Sequence, residues 1–326
     1  MFRVFGHQLR RMRSLMKSAI KIGTRGSRLA LWQAAWIKSA LEKQHPEITV
    51  DIVVIKTRGD KILDVPLAKV GGKGLFVKEI EDALLRADID IAVHSMKDMP
   101  ADLPEGLCIG PIPEREASGD VLISGTGRHL AGLGSGSSIG TSSLRRSAQL
   151  LHVRPDLKIV PLRGNLETRL KKLEEGRMDA IVLAAAGVRR LGLEHRITEY
   201  LEPSVMLPAV GQGALCIELR ADDRETLQVI NHLEHGPTRT AVLGERAFLN
   251  RLEGGCQVPI AALGLVRQEQ FTLSGLVADI DGQTIFKETL SGPARASESI
   301  GADLADRLAA RGARDILNKL KEAAQE

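Results

Sequence analysis

The sequence predicts an α/β protein with two lobes, followed by a small α+β domain at its C-terminal end. Short apolar strands alternate with amphipathic helices from residue 19, and the alternation restarts at Asp120. From about Gly236 the pattern changes to one helix, three meandering strands and two final helices. The Gly-rich segment 207–213 is expected to cross back from the second lobe to the first. A chain of 326 residues is long enough for three such units.

Charge and cysteine content narrow the possible functions. Residues 1–21 carry six of the 45 basic residues and no acidic residue, which leaves 39 basic against 41 acidic residues in the remainder. That near-neutral body gives no reason to expect nucleic-acid binding. Three widely spaced cysteines indicate a reducing compartment and argue against disulfides and structural zinc. No apolar run approaches membrane-spanning length, so we expect no membrane partner. The cysteine and histidine spacing predicts no metal site, and we expect the reducing compartment to be the cytoplasm.

The basic N-terminal segment has more than one interpretation. A transit-like peptide would be basic and free of acidic residues, as residues 1–18 are. A translation start at Met16, just before the first predicted strand, explains the same composition. We expect residues 1–18 to be a disordered leader.

The turn between the first strand and the first helix carries a candidate ligand contact, Arg25. A strand over 19–23 runs into a helix with Ser27 as N-cap. The helix carries an apolar face that contains two tryptophans, which we interpret as core residues: Leu29, Trp32, Trp36, Ala40 and Leu41. Arg25 lies on the strand-to-helix turn, where α/β folds bind ligands. A solvated loop arginine is the alternative.

The segment 57–74 has the composition of a mobile lid over a site. It lacks a consistent period and contains four glycines and a proline. Lys69 could reach an anion from this loop, although the glycine spacing is not that of a phosphate-binding P-loop. The helix predicted over 75–86 follows, with Phe76 on its apolar face.

Asp98 is the best single candidate for a catalytic carboxylate. The buried strand predicted over 89–93 delivers Lys97 and Asp98 to the edge where parallel sheets bind ligands. A solvated Lys–Asp turn is the alternative interpretation.

Arginines recur at three successive strand-to-helix turns of the second lobe. They are Arg145 and Arg146, then Arg163 and Arg169, then Arg189 and Arg190. A single arginine at such a turn means little. Three such turns in one sheet indicate a ligand with several carboxylates or phosphates, which guanidinium groups bind well.

Cys256 is predicted to lie on a tight exposed turn. Two glycines precede it, Pro259 follows it, a helical pattern leads into the turn and a strand pattern leaves. A thiol in that position is open to another molecule, although a small residue filling a turn is the alternative. Cys216 falls inside an apolar strand and is expected to be inert core.

Six motifs, in this order along the chain, resemble the porphobilinogen deaminase family, also called hydroxymethylbilane synthase. They span residues 69–76, 92–98, 140–146, 162–165, 208–213 and 252–259. The resemblance runs from about Ile20 to the C-terminus, and six long motifs together are highly specific.

The resemblance implies a fold and a reaction. Two lobes of the periplasmic-binding-protein type are expected at 19–115 with 212–233 and at 116–211. A C-terminal α+β domain at 234–326 would carry a dipyrromethane cofactor, linked to Cys256 through a thioether. Four porphobilinogen molecules would join head to tail with loss of ammonia, and water would release hydroxymethylbilane. A monomer is expected.

The resemblance also implies roles for individual residues. Asp98 would donate a proton to the leaving amine and then stabilise a cationic pyrrole. Besides Cys256 and Asp98, the residues expected to bind the cofactor are Lys97, Ser27, Thr141, Ser143, Arg145, Arg146 and Gln212. The residues expected to bind the substrate are Arg25, Arg163, Arg169, Arg190, Lys69 and Phe76.

Two other functions fit parts of the sequence. A non-catalytic small-anion-binding protein of the same two-lobed fold would need neither the third domain nor the Cys256 turn. A thiol hydrolase or transferase would need a base near Cys256, and no histidine lies beside it in the sequence.

Overall fold

The first lobe begins with strands and helices that follow the predicted order. The structure is a computed structural model that describes residues 17–61, 77–253 and 258–323. The Ser27 side chain accepts a hydrogen bond from the Ala30 N–H, which confirms it as the N-cap of the first long helix. The elements are β1 (Ala19–Thr24), α1 (Arg28–Gln44), β2 (Thr49–Val54), α2 (Arg58–Lys61), α3 (Lys78–Leu85), β3 (Ile91–Ser95) and β4 (Leu107–Ile109).

The second lobe repeats the strand–helix alternation. Its elements are β5 (Asp120–Ser124), β6 (Ser138–Gly140), α4 (Leu144–Val153), β7 (Lys158–Val160), α5 (Leu166–Glu174), β8 (Ala180–Ala184), α6 (Ala185–Arg190) and β9 (Glu199–Leu201). α6 begins directly after β8, at Ala185. It lies against α1, since a Cβ added at Gly187 would be in van der Waals contact with a Leu29 methyl group at 3.5 Å.

The chain then returns to the first lobe and enters the third domain. The elements are β10 (Leu215–Arg220), α7 (Arg224–Ile230), α8 (Gly236–Arg251), β11 (Ile260–Arg267), β12 (Gln270–Ala278), β13 (Ile285–Pro293), α9 (Ser297–Leu308) and α10 (Arg314–Ala323). Two final helices were predicted, and Gly312, with φ +112°, separates them.

The two large sheets share one topology. The strand order is β2-β1-β3-β10-β4 in the first and β7-β6-β8-β5-β9 in the second. In each sheet the fourth strand in this order runs antiparallel to the third. It is also the first strand that the chain forms after it has crossed from the other lobe. With the three-stranded sheet β11-β12-β13, this confirms the predicted class of two α/β lobes and a small α+β domain. The exact domain boundaries stay a prediction.

Each unit has its own apolar core. Ile22, Ile91 and Ile217 are fully buried in the first lobe, and Phe248 and Phe271 are fully buried in the third domain. Burying a side chain of this size stabilises the fold by roughly 1.5–3 kcal/mol. Within the described ranges, no helix has the length and apolar character needed to cross a membrane.

Two segments connect the lobes, one between β4 and β5 and one between β9 and β10. Their main chains touch, because the Glu116 N–H donates to the Gly213 oxygen at 3.2 Å. Gly213 has φ +90°, and an added Cβ would clash with the main-chain oxygen of Glu116. Glycine therefore lets the two crossings lie side by side.

The Glu245 carboxylate, on α8, joins the third domain to both crossings. Its side chain is fully buried. Oε1 accepts from Arg115 Nη1 at 2.6 Å and from the Gly264 N–H at 2.8 Å. Oε2 accepts from the Gly211 N–H at 2.7 Å. Arg115 lies on the first crossing, Gly211 on the second and Gly264 on β11, so one carboxylate fixes three parts of the chain.

We expect Glu245→Ala to lower the free energy of unfolding by about 3–5 kcal/mol, because it leaves the Arg115 guanidinium without its buried charge partner. Urea unfolding followed by circular dichroism measures this change. Glu298→Ala, at an exposed position of α9, is the control and should change stability by less than about 0.5 kcal/mol. Equally small effects of both substitutions would contradict the role given to Glu245.

Candidate active site

Lys97 and Asp98 lie on a 3₁₀ turn, Met96–Asp98, immediately after β3. The Met96 side chain is buried, and its N–H donates to the Ala214 oxygen at 3.0 Å. The turn is therefore attached to the chain just before β10. Lys97 is half-buried and Asp98 is exposed. The turn thus offers one cation and one carboxylate at the end of a buried strand, as the sequence predicted.

Gln212 links this turn to the second lobe. Its side chain is fully buried, and its Oε1 accepts from Lys97 Nζ at 3.4 Å. Its Nε2 donates to the Ser118 oxygen at 2.7 Å and to Asp120 Oδ1 at 3.1 Å. One amide thus connects the Lys97 amine to a buried carboxylate of the other lobe.

Asp120 binds two arginines at once. Its Oδ2 accepts from Arg145 Nη1 at 2.7 Å, and its Oδ1 accepts from Arg146 Nη2 at 2.7 Å and from Nε at 3.0 Å. Arg145 and Arg146 are 5% and 6% exposed, so both charges are held away from water. Asp120 is a site residue that the sequence did not predict. Its only local signal was a polar residue at the first position of a buried strand.

The pKa values of these groups reflect the crowding of positive charge. Burial, then the charge of Arg146, lowers the pKa of Lys97 to about 8, although Asp98 and Asp120 oppose the shift. Burial alone would raise the pKa of Asp120. The charges of Arg145 and Arg146 outweigh that effect and hold the pKa well below its usual range.

Arg163 and Arg169 extend the positive cluster. Arg169 is half-buried in the first turn of α5, and its Nε donates to the Gly164 oxygen at 2.8 Å. Burial, then the charge of Arg146, lowers the pKa of Arg169 to about 10, while Asp98 opposes this shift and Arg163 adds to it. These interactions bring Asp98 of the first lobe near the arginines of the second. Lys97, Arg145, Arg146, Arg163 and Arg169 are called the cationic cluster below.

Arg190 lies apart from the cationic cluster. Its Nη2 donates to the Gly213 oxygen at 2.7 Å, and its guanidinium lies 5.9 Å from the Trp32 ring centroid. Burial lowers its pKa to about 10, and the charge of Glu116 opposes the shift. Arg190 and Trp32 line a cavity of about 280 Å³ beside the crossings, together with Trp36 and Arg115.

The prediction that both tryptophans are core residues is wrong. Trp36 is 40% exposed and Trp32 is half-buried. The face of α1 that packs on the sheet instead contains Ala34, Ile37 and Leu41. It is rotated from the predicted face, so the indole rings line the cavity of Arg190.

The predicted hydroxyl ligands lie at helix starts. Ser27 caps α1, with Arg25 half-buried just before it. Thr141 is buried before α4, and its Oγ1 accepts from the Ser143 N–H at 3.2 Å. Helix N-termini with hydroxyl groups attract anions.

Three predicted site residues, Lys69, Phe76 and Cys256, lie outside the described residues. α8 ends at Arg251 and β11 begins at Ile260, so a helix precedes the Cys256 segment and a strand follows it, as predicted. Cys216 is fully buried, and burial raises the pKa of its thiol, which confirms it as a core residue.

Comparisons with known proteins cover almost the entire chain. Residues 20–228 match the family model described as porphobilinogen deaminase, dipyromethane cofactor binding domain, and residues 239–310 match porphobilinogen deaminase, C-terminal domain. The porphobilinogen deaminase of Syntrophotalea carbinolica is 58% identical over 94% of this chain and 97% of its own length. That of Geobacter sulfurreducens is 56% identical over 91% and 93%. The periplasmic VFT2 domain of Bordetella pertussis BvgS is 14% identical, with a TM-score of 0.39 over 69% of this chain and 90% of that domain.

We expect the Lys97 amine to titrate with a midpoint of about 8, because burial and Arg146 disfavour its charged form. Carbon NMR of protein labelled at lysine Cε measures this, with the resonance assigned by its loss in Lys97→Arg. Lys21→Arg, at an exposed position of β1, should leave the resonance in place. A midpoint near the ordinary lysine value of 10.5 would overturn the expectation.

Proposed function

We propose how this chain, which belongs to the porphobilinogen deaminase family, carries out its reaction. The family membership makes it a transferase with porphobilinogen as substrate and a dipyrromethane cofactor. In the proposed reaction, four porphobilinogen molecules are joined head to tail onto a primer held by Cys256. Ammonia is lost at each addition, and water finally releases hydroxymethylbilane.

The observation that carries the proposal is the gathering of positive charge between the lobes. The charges of Lys97, Arg145 and Arg146 interact with one another. The charge of Arg169 interacts with those of Arg146 and Arg163. Asp98 and Asp120 offset part of this charge. Like charges gathered in a buried place are costly unless opposite charge offsets them. A ligand with several carboxylates would supply such charge, and every porphobilinogen unit brings an acetate and a propionate.

The residues also fit the dipyrromethane cofactor, which carries two pyrroles with the same acid groups. When bound, the cofactor supplies the pyrrole carbon to which the first substrate is joined. We assign its binding to Lys97, Arg145, Arg146 and Gln212, with hydroxyl donors from Ser27, Thr141 and Ser143. Arg146 already binds Asp120 through its guanidinium fork. It would therefore act on the ligand mainly through its charge.

Asp98 is assigned the proton transfer. It is exposed, unlike Asp120, and it lies within the charge interactions of Lys97 and Arg169. An exposed carboxyl group there can, in its protonated form, give its proton to the leaving amine, and the carboxylate that remains can then stabilise positive charge on a pyrrole nitrogen. Lys97 and Arg169 would meanwhile hold the acid groups of the substrate away from the Asp98 carboxylate.

The remaining arginines are assigned to the substrate. Arg163 and Arg169 belong to the cationic cluster, and Arg25 lies at the start of α1. Arg190 would contact a ligand only from the cavity beside the crossings. Lys69 and Phe76 keep the substrate role implied by the family. The cytoplasmic location, the monomeric state and the domain boundaries given above also stay predictions.

We expect Asp98→Asn to lower kcat by about 10²–10⁴-fold, because the amide cannot donate the proton of a carboxylic acid. Ammonia release from porphobilinogen measures this, with unfolding curves to show that the fold is kept. Asp102→Asn is the matched control, an exposed aspartate on the following loop, and should keep nearly full activity. Near-normal turnover of Asp98→Asn would remove Asp98 from its proposed role.

We expect the intact mass of the purified protein to exceed the sequence mass by two linked pyrrole units. The excess should vanish in Cys256→Ser and remain in Cys108→Ser, which alters a half-buried thiol of β4. The purified protein could instead be unmodified and inactive. If it then gains both the excess mass and activity when porphobilinogen is added, it is the form that precedes cofactor assembly. Active protein of unmodified mass would contradict the attachment to Cys256.

A further inference from the structure

A second group of buried polar side chains lies along the β3–β10 strand pair and is not used by the proposed mechanism. His94 of β3 and Glu218 of β10 are 4% and 0% exposed, and His94 Nε2 lies 3.1 Å from Glu218 Oε2. His94 is directly opposite Cys216 in the register of the two strands. Glu81, on α3, is 6% exposed and close enough to Glu218 for their charges to interact.

Two carboxylate oxygens of this group lack hydrogen bonds. Glu218 Oε1 and Glu81 Oε1 are both buried, and no group in the described part of the chain donates to either. An ionised carboxylate can only accept hydrogen bonds, so two neighbouring ionised groups cannot satisfy each other. A single proton between them would satisfy both oxygens and remove one buried charge.

We propose that Glu81 and Glu218 share one proton near neutral pH and that His94 completes a buried hydrogen-bonded chain. Glu81 carries the proton and donates it to Glu218 Oε1. Glu218 remains ionised, so His94 Nε2 must carry a hydrogen and donate it to Oε2. The chain connects α3 to β10 and β10 to β3.

Other charged and titratable groups around Glu81 agree with this arrangement. Burial raises the pKa of Glu81 to about 7, and the charges of Glu218 and Asp82 add to the shift, while Lys78 opposes it. The groups near the Glu218 end are the Cys216 thiol on the same strand, the Cys108 thiol of β4, and Arg239 and Arg246 of α8. Neither arginine is among the charges that act on Glu81, so within the described residues Lys78 is the cation that favours its ionised form.

The hydrogen-bonded side chains of Glu81, Glu218 and His94 position the turn that bears Asp98. β3 ends one residue before the turn, and β10 begins three residues after Gln212. The register of this strand pair therefore sets the separation of Lys97 Nζ from Gln212 Oε1. The His94–Glu218 bond ties the two strands together, and Glu81 holds α3 over them.

The proposal has a definite consequence for stability. The folded state would keep the Glu81 proton to a higher pH than the unfolded chain, so stability falls as pH rises from about 4.5 to about 7 and stays lower above it. Glu81→Gln keeps a donor that cannot ionise. Its stability relative to wild type should therefore rise as the pH is increased from about 4.5 to about 7 and stay constant above it.

Infrared spectroscopy of the full-length protein tests the proposal directly. At about pH 6 we expect a carbonyl band of a protonated carboxyl group, above the amide band, that fades above about pH 7. Labelling all glutamates with ¹³C should shift this band in wild type, which tests its origin without any substitution. The band should be absent from Glu81→Gln and present in Glu79→Gln, a matched change on the same helix.

Stability measurements separate a shared proton from simple packing. Urea unfolding at about pH 6 and about pH 8 should show a midpoint that falls with pH in wild type and Glu79→Gln. Glu81→Gln should remove that fall, whereas Glu81→Leu, which has no donor for Glu218, should destabilise the protein at both values. A missing band in wild type, a band that ¹³C-glutamate does not shift, or an unchanged pH dependence in Glu81→Gln would overturn the proposal.

Discussion

The buried carboxylate of Asp120 is the constraint on which the cationic cluster between the lobes depends. Arg145 and Arg146 are almost fully buried, and two adjacent guanidinium groups would repel each other strongly without it. Asp120 binds both and also accepts from Gln212, so the start of β5, the first turn of α4 and the second crossing meet at one side chain. Charge that would otherwise be expelled to solvent is thereby kept inside the cleft.

Positive charge remains near Asp120 even after it binds Arg145 and Arg146. Burial, then the charge of Arg146, lowers the pKa of Lys97, whose amine donates to the same Gln212 amide that donates to Asp120. The charges of Arg146 and Arg163 also act on Arg169, and the charge of Asp98 opposes the lowering of its pKa. This concentration of positive charge would attract a polyanionic ligand to the neighbourhood of the exposed Asp98 carboxylate.

Sequence reasoning found the residues whose position depends on local structure. Asp98 and the arginines of the second lobe follow strand ends, and strands and turns are set by patterns of a few residues. It missed Asp120, because the pairing partner Arg145 lies 25 residues away and only the packed sheet brings the two together. The two tryptophans were wrongly predicted to be core residues. Helical periodicity identifies an apolar face of α1, whereas contact with the sheet decides which face is buried. Trp36 is exposed for that reason.

The strand pair β3–β10 carries buried charge in two different ways. At its end, Lys97 and the arginines gather positive charge, which Asp98 and Asp120 partly offset and which the proposed ligand would offset further. Along its length, Glu218 faces a second carboxylate, and no ligand can reach that position because the side chain is fully buried. In the proposed arrangement, a shared proton removes one of the two buried charges. The exposed end of the strand pair can therefore serve binding, while the buried carboxyl pair is proposed to hold the strands in register.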